Sequence, residues 1–257
     1  MQKSLAVITG ASNGIGEVFA RKLAPQYDLL LIARNKPRLT ALAAELEALH
    51  GCAAAVMEAD LSDAAQLGAV ADRIAAEPNL GLLVNNAGFG YRRAFWEADL
   101  EKLENMHRLH VMALVRLSHA ALRVLVPKNR GAIINLASVS SFVQRAGSAS
   151  YGATKSWVTA FTEGLYVDLR HAKSAVTVQA LCPGFTYSGF HDRMGEDRAG
   201  IAPAAFWMRA EDVVQDSLNA LPAGTLFVVP GWRYKLLVAV ARRLPFRLKL
   251  RMEAPRR

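Results

Sequence analysis

Tyr151 and Lys155 stand four residues apart, and Ser138 lies thirteen residues before the tyrosine. On a helix, positions i and i+4 share one face, so an ammonium sits beside a phenol. A free tyrosine has a pKa near 10, and a neighbouring cation stabilises its phenolate. A serine closing the preceding strand can hold a substrate oxygen by a hydrogen bond. Such a set suits proton transfer at an oxygen while a hydride moves at the adjoining carbon. A second motif, Thr9-Gly10-Ala11-Ser12-Asn13-Gly14-Ile15-Gly16, comes near the N-terminus. Glycine allows a tight turn and lets backbone N–H groups approach a pyrophosphate. A helix N-terminus just after it adds partial positive charge.

These residues need a scaffold that brings them to one place. Short apolar runs alternate with longer helical patterns. The expected strands cover residues 5–9, 28–33, 53–59, 81–85, 132–137, 175–181 and 225–229. The expected helices cover residues 14–24, 37–50, 63–77, 100–125, 151–170 and 211–221. Runs such as Leu29-Leu30-Leu31-Ile32 are apolar on both faces, which suits a parallel sheet covered on both sides. The pattern implies an α/β fold, a Rossmann-like doubly wound parallel sheet in a single domain. Ligands then sit at the carboxyl ends of the strands, where every motif falls.

The second strand runs into Ala33-Arg34-Asn35-Lys36-Pro37-Arg38. A site for NAD usually places an acid here for the ribose 2′-hydroxyl. Three cations stand instead, suited either to a 2′-phosphate or to a solvated helix start. Asp60 and Leu61 close the third strand. The Asp60 carboxylate has two readings, acceptor from an adenine amino group or helix N-cap, with Ser62 and Asp63 as rivals for the cap. Asn85-Asn86-Ala87-Gly88 closes the fourth strand with small residues that let the chain pass close to a cofactor.

An apolar content of 52% in 257 residues supplies the core of one large domain. Cys52 and Cys182 suggest packed thiols in a reduced cytosol rather than a disulfide or metal site. The six histidines show no metal-ligand grouping, so no metal is expected. Net charge is +9, but nine Lys/Arg against Glu253 from Arg233 onward give 9 − 1 = +8, which leaves +1 for the body. Basicity belongs to a tail, and nucleic acid is not an expected partner.

In order and spacing, the glycine turn, Asp60, residues 85–88, Ser138, Tyr151-Gly152-Ala153-Thr154-Lys155 and Pro183-Gly184 resemble the short-chain dehydrogenase/reductase family over about residues 4–230. The resemblance implies Tyr151 as general acid/base and Ser138 as the group orienting the carbonyl. It implies that Lys155 holds the nicotinamide ribose and lowers the tyrosine pKa. Gly10, Ser12, Asn13, Gly14, Ile15, Gly16, Asp60, Leu61, Asn86, Ala87 and Gly88 would line the cofactor. Pro183, Gly184 and Thr186 fall near the carboxamide-binding segment. Arg34 matches the arginine that selects NADP(H), with Ala33 where NAD-dependent members carry Asp. One position departs. His110 stands where the family's proton relay has an asparagine, and both a relay role and a packing role are open. The resemblance also implies a homodimer or homotetramer, with the helices over 100–125 and 151–170 at the contact.

Residues 183–211 form an expected substrate lid, with Phe185, Tyr187, Phe190, Met194, Phe206, Trp207 and Met208. These side chains would line an apolar pocket or pack the lid onto the body. The expected function is NADP(H)-dependent interconversion of a small hydrophobic ketone or aldehyde and its alcohol. The rival is a non-catalytic NADP-binding scaffold or regulator. Residues 1–231 form the expected domain and residues 232–257 a basic, apolar tail. The tail either packs on protein or touches an anionic membrane surface, with Trp232 and Tyr234 at the headgroup boundary. The expected location is the cytoplasm, peripheral to the inner face of a membrane if the tail binds lipid.

Overall fold

The computed structural model describes residues 3–188, 202–245, 247 and 248. The expected lid residues Phe190 and Met194 and the distal tail residues Phe246 and Leu250 lie outside them. Seven strands form one parallel sheet: β1 (Ser4–Thr9), β2 (Tyr27–Ala33), β3 (Ala54–Glu58), β4 (Leu80–Asn85), β5 (Ala132–Leu136), β6 (Thr177–Leu181) and β9 (Phe227–Val228), in the order β3-β2-β1-β4-β5-β6-β9. The order reverses beside β1, which pairs with β2 on one side and β4 on the other. That switch point opens a crevice at the carboxyl ends.

Alternate side chains along each strand serve two apolar layers. Ala6, Ile8, Leu29, Leu31, Leu82, Val84 and Ile134 pack under α1 (Gly14–Leu23), α2 (Lys36–His50) and, further along the chain, α7 (Ala210–Ala220). Val7, Leu30, Ile32, Leu83 and Ile133 pack under α3 (Ala64–Ala75) and α5 (Ala113–Leu125). Each fully buried Leu or Ile stabilises the fold by about 1.5–3 kcal/mol. Caps fix where helices begin. Asn35 accepts from Arg38 N at α2, and Asp63 accepts from Gln66 N at α3. Asp63, not Asp60 or Ser62, is therefore the cap of α3.

The expected helix over 100–125 is not continuous. α4 (Leu100–His107) passes into a π-helical turn, Arg108–Met112, before α5. Ala113 N bonds Arg108 O, five residues back. One extra residue in the turn rotates the chain and buries His110. The short pair β7 (Thr186–Tyr187) and β8 (Met208–Arg209) went unforeseen, whereas the packing of α8 (Trp232–Arg243) on the body is one of the two readings of the tail. The last strand is also shorter than expected, with two paired residues.

Candidate active site

The glycine turn joins β1 to α1. Gly10 has φ +67° and Gly14 φ +58°, a region that side chains disfavour. A Cβ on Gly16 would lie 2.3 Å from Gly10 O, so only glycine lets helix and turn approach. Asn13, the N-cap of α1, makes no side-chain bond to the helix. The first-turn N–H groups thus have no side-chain cap, which suits an anionic group. Ser12 and Asn13 are half-buried on this turn and Ile15 is buried beneath it. The turn is braced from β4. Asn86 Nδ2 donates to Thr9 O, and the N–H groups of Asn86 and Ala87 donate to Thr9 Oγ1. Asn85 Nδ2 donates to Asn135 Oδ1 and Ser118 Oγ, tying β4 to β5 and α5.

Arg34 stands at the end of β2, 77% exposed, with its guanidinium 3.5 Å from Asp60 Oδ2. Lys36 and Arg38 are exposed beside it. Asp60 Oδ1 accepts from the N–H and hydroxyl of Ser62. Burial opposes its charge, but these bonds and Arg34 hold its pKa below the usual value. Leu61 is buried behind it.

Ser138 follows β5 in extended conformation and opens a short 3-10 turn, where its Oγ accepts from Ser140 N. Tyr151 lies in the first turn of α6 (Ala149–His171). A hydrogen bond joins its hydroxyl to Ser138. Lys155 is buried, with Nζ 2.8 Å from Leu136 O and 5.8 Å from the Tyr151 ring centre. Ala137 N bonds Leu181 O and Val139 N bonds Pro183 O, so Ser138 is held beside Pro183-Gly184. Thr186 is buried just beyond. The structure thus gathers Ser138, Tyr151, Lys155 and the 183–186 segment at one crevice.

The protein alone does not make Tyr151 acidic. Burial pushes its pKa up to about 12, against a smaller lowering by the Ser138 bond. Burial likewise lowers Lys155 to about 8. Of the two influences on Tyr151, burial outweighs the Ser138 hydrogen bond.

His110 is fixed at both nitrogens. Phe89 N–H donates to Nε2 at 3.2 Å, and Nδ1 lies 3.0 Å from Thr154 Oγ1. The Thr154 hydroxyl gives its own proton to Tyr151 O. Nδ1 must then carry the hydrogen, and the ring is neutral. Burial and the charge of Lys155 hold its pKa well below 6.5. The imidazole packs edge-on to Tyr151, with ring centres 5.9 Å apart. Gly88 leaves room for it, since a Cβ there would lie 2.8 Å from Nε2. Both nitrogens are thus engaged, and the ring bridges the β4 loop and α6. A cavity of about 10 Å³, about one water in size, lies among Thr9, Asn85, His110 and Lys155.

Beside this crevice the described aromatics of the expected lid pack on one another. The rings of Phe185 and Trp207 are 5.4 Å apart, and those of Tyr187 and Trp207 5.1 Å. Tyr234 on α8 was expected at a lipid headgroup boundary and is instead 4% exposed. Its hydroxyl accepts from Phe185 N at 2.9 Å and donates to Phe206 O at 2.6 Å, joining the two stems of the lid. Its ring lies against Gly184, where a Cβ would come within 2.0 Å. No local pattern in the sequence announced this residue. Among the described residues, no group of three or more His, Cys, Asp or Glu could hold a metal ion.

A parallel sheet with a glycine turn at its switch point, and a Ser–Tyr–Lys crevice beside it, defines a nicotinamide-dinucleotide oxidoreductase. The family model described as short chain dehydrogenase matches residues 4–199, and the chain belongs to that family. It is 33% identical to a short-chain dehydrogenase from Sphingobium yanoikuyae solved in complex with NADPH, with 98% of this chain and 97% of that one covered and a TM-score of 0.85. It is 28% identical to the bulky-bulky ketone specific alcohol dehydrogenase from Comamonas testosteroni, with 100% and 96% covered and a TM-score of 0.81. A short-chain dehydrogenase/reductase from Burkholderia phymatum in complex with NAD is 26% identical, with 100% and 97% covered and a TM-score of 0.80.

Proposed function

We propose that this chain reduces a hydrophobic ketone or aldehyde to its alcohol with NADPH, and runs the reverse reaction when product and NADP accumulate. The hydrogen-bonded pair Tyr151–Ser138 beside buried Lys155 carries the reading. NADPH, when bound, supplies the hydride. Ser138 and Tyr151 hold the substrate oxygen, and Tyr151 delivers the proton. Its pKa of about 12 keeps it a phenol at neutral pH, the form reduction requires. Lys155 would bind the nicotinamide ribose and oppose the charge left on the phenolate. The residues fit a dinucleotide: uncapped N–H groups at α1 for the pyrophosphate, and Arg34, Lys36 and Arg38 for a 2′-phosphate. The NADPH complex of the Sphingobium relative supports the cofactor, and the ketone named for the Comamonas relative supports an apolar carbonyl compound.

A screen of carbonyl compounds, following NADPH absorbance, tests the proposal. Tyr151→Phe is expected to lower turnover by at least about 1000-fold, with NADPH binding retained, because the proton donor alone is lost. Near wild-type turnover would remove Tyr151 from its role. Ala33→Asp with Arg34→Gln is expected to shift preference toward NADH. An unchanged NADPH/NADH ratio would release Arg34 from cofactor choice.

We also infer a homo-oligomer joined across α4, the π turn, α5 and α6. Leu100 and Met112 are exposed there, on an apolar groove of about 470 Å³, and Val167 is exposed on α6.

A further inference from the structure

We propose that the outer face of α8 is a docking site for an anionic lipid surface. The helix has two faces of different character. Its inner face is committed. Tyr234 and Val238 pack with Val139, Phe142 and Phe185. Arg242 lies over the rings of Phe142 and Phe227, at 5.8 and 5.7 Å. These contacts fix the orientation of the helix on the body. The outer face carries Trp232, Leu236 and Val240 at i, i+4 and i+8, exposed at 66, 58 and 45%. A row of large apolar side chains left in water on an ordered helix marks an interaction surface.

Charge selects the occupant. Arg233, Lys235 and Arg243 lie on or beside the row, and Arg247 follows. The segment from Arg233 onward carries +8, against +1 for the rest of the chain. A second copy is a poor match, because a two-fold contact through this helix sets like charges against like. The +1 body offers no general acidic complement either. An anionic bilayer supplies both requirements, acyl chains for the apolar row and phosphates for the cations. The helix is twelve residues long, and no helix among the described residues is long and apolar enough to cross a membrane, so the contact lies in the interface plane. Through Tyr234, which touches Gly184 and both lid stems, the docking helix is joined to the segment beside the Ser138–Tyr151 crevice.

Flotation of the full chain with phosphatidylglycerol vesicles, and separately with phosphatidylcholine vesicles, tests this at low and high salt. The expected result is binding to phosphatidylglycerol alone, weakened by salt. Leu236→Glu with Val240→Glu is expected to weaken binding about 100-fold, since two apolar contacts become like charges. Lys235→Glu with Arg243→Glu is expected to weaken it by at least about tenfold. All four positions face solvent, and an unchanged thermal unfolding midpoint verifies that each variant folds. Should a variant fail to fold, quenching of wild-type Trp fluorescence by brominated phosphatidylglycerol, lost in Trp232→Phe, reads the same contact. The proposal is overturned if the wild type stays unbound at low salt. Equal binding by the Leu236/Val240 variant overturns it as well. So does a variant whose molar mass falls by light scattering while vesicle binding is unchanged, which assigns the face to a second copy.

Discussion

At the scale of single residues, burial rather than pairing sets the protonation of the site. It raises Tyr151 and lowers Lys155. Lys155 falls from 10.5 to about 8, so below pH 8 the folded ammonium costs about 3 kcal/mol relative to the unfolded chain. That cost fades as pH rises through 8 toward 10.5. Lys155→Met removes it and leaves Leu136 O without its donor, a loss of about 1–3 kcal/mol. Turnover is expected to be lost. The stability of the variant minus that of wild type is expected to shrink by about 3 kcal/mol over that window, measured by urea unfolding. A constant gap would mean Lys155 is not held down. His110 works in the acid range. Its folded pKa lies well below 6.5, so under pH 6.5 the unfolded chain binds a proton the folded chain refuses. Wild-type stability is expected to fall there by up to about 1.4 kcal/mol per pH unit. His110→Asn should lack that slope, keep turnover within about tenfold, and lose about 1–3 kcal/mol at neutral pH through Phe89 N or Thr154. A collapse of turnover in this variant would assign His110 the relay role. The types and spacing of Ser138, Tyr151 and Lys155 were legible in the sequence. Their ionisation was not, because it depends on how deeply distant segments bury them.

At the scale of elements, alternation of apolar strands and helices was legible because both faces of each strand are covered. The π turn at Arg108–Met112 was not. An extra residue within a turn leaves the helical pattern of the sequence intact and shows only in the bond from Ala113 N to Arg108 O. The inner face of α8 was hidden for a related reason. Tyr234 and Gly184 are fifty residues apart and meet only after the sheet has formed. Tyr234→Phe leaves Phe185 N and Phe206 O without their partner and is expected to cost about 1–3 kcal/mol. Gly184→Ala overpacks the same contact, for a similar loss. Because both sit at one contact, the double variant is expected to lose less than the sum, as urea unfolding would show. Full additivity would separate the two residues.

At the scale of the whole molecule, the exposed apolar groups on α4, the π turn and α6 leave a face that suits a second copy. Leu100→Glu with Met112→Glu is expected to lower the molar mass seen by light scattering while the far-ultraviolet spectrum is unchanged. If the mass stays the same, the subunits meet elsewhere or not at all. The single doubly wound domain was legible from the order of elements, and the family resemblance named the helices of this face, but its exposed residues were not legible. It is built from positions that are apolar without being core, a distinction only the packed structure makes.

An open sheet has two margins, and each offers unpaired backbone groups on which a strand from another chain can grow. On one side the margin is β9, with only Phe227 and Val228 paired to β6. Arg242 lies over the Phe227 ring, so α8 sets a cation beside that margin. A chain ending at Gly231 loses the Arg242 cover and uncovers the apolar surfaces of Phe142, Phe185 and Phe227. It is expected to accumulate as insoluble material on expression. A truncated chain that stays in the soluble fraction would show that brevity alone protects the strand.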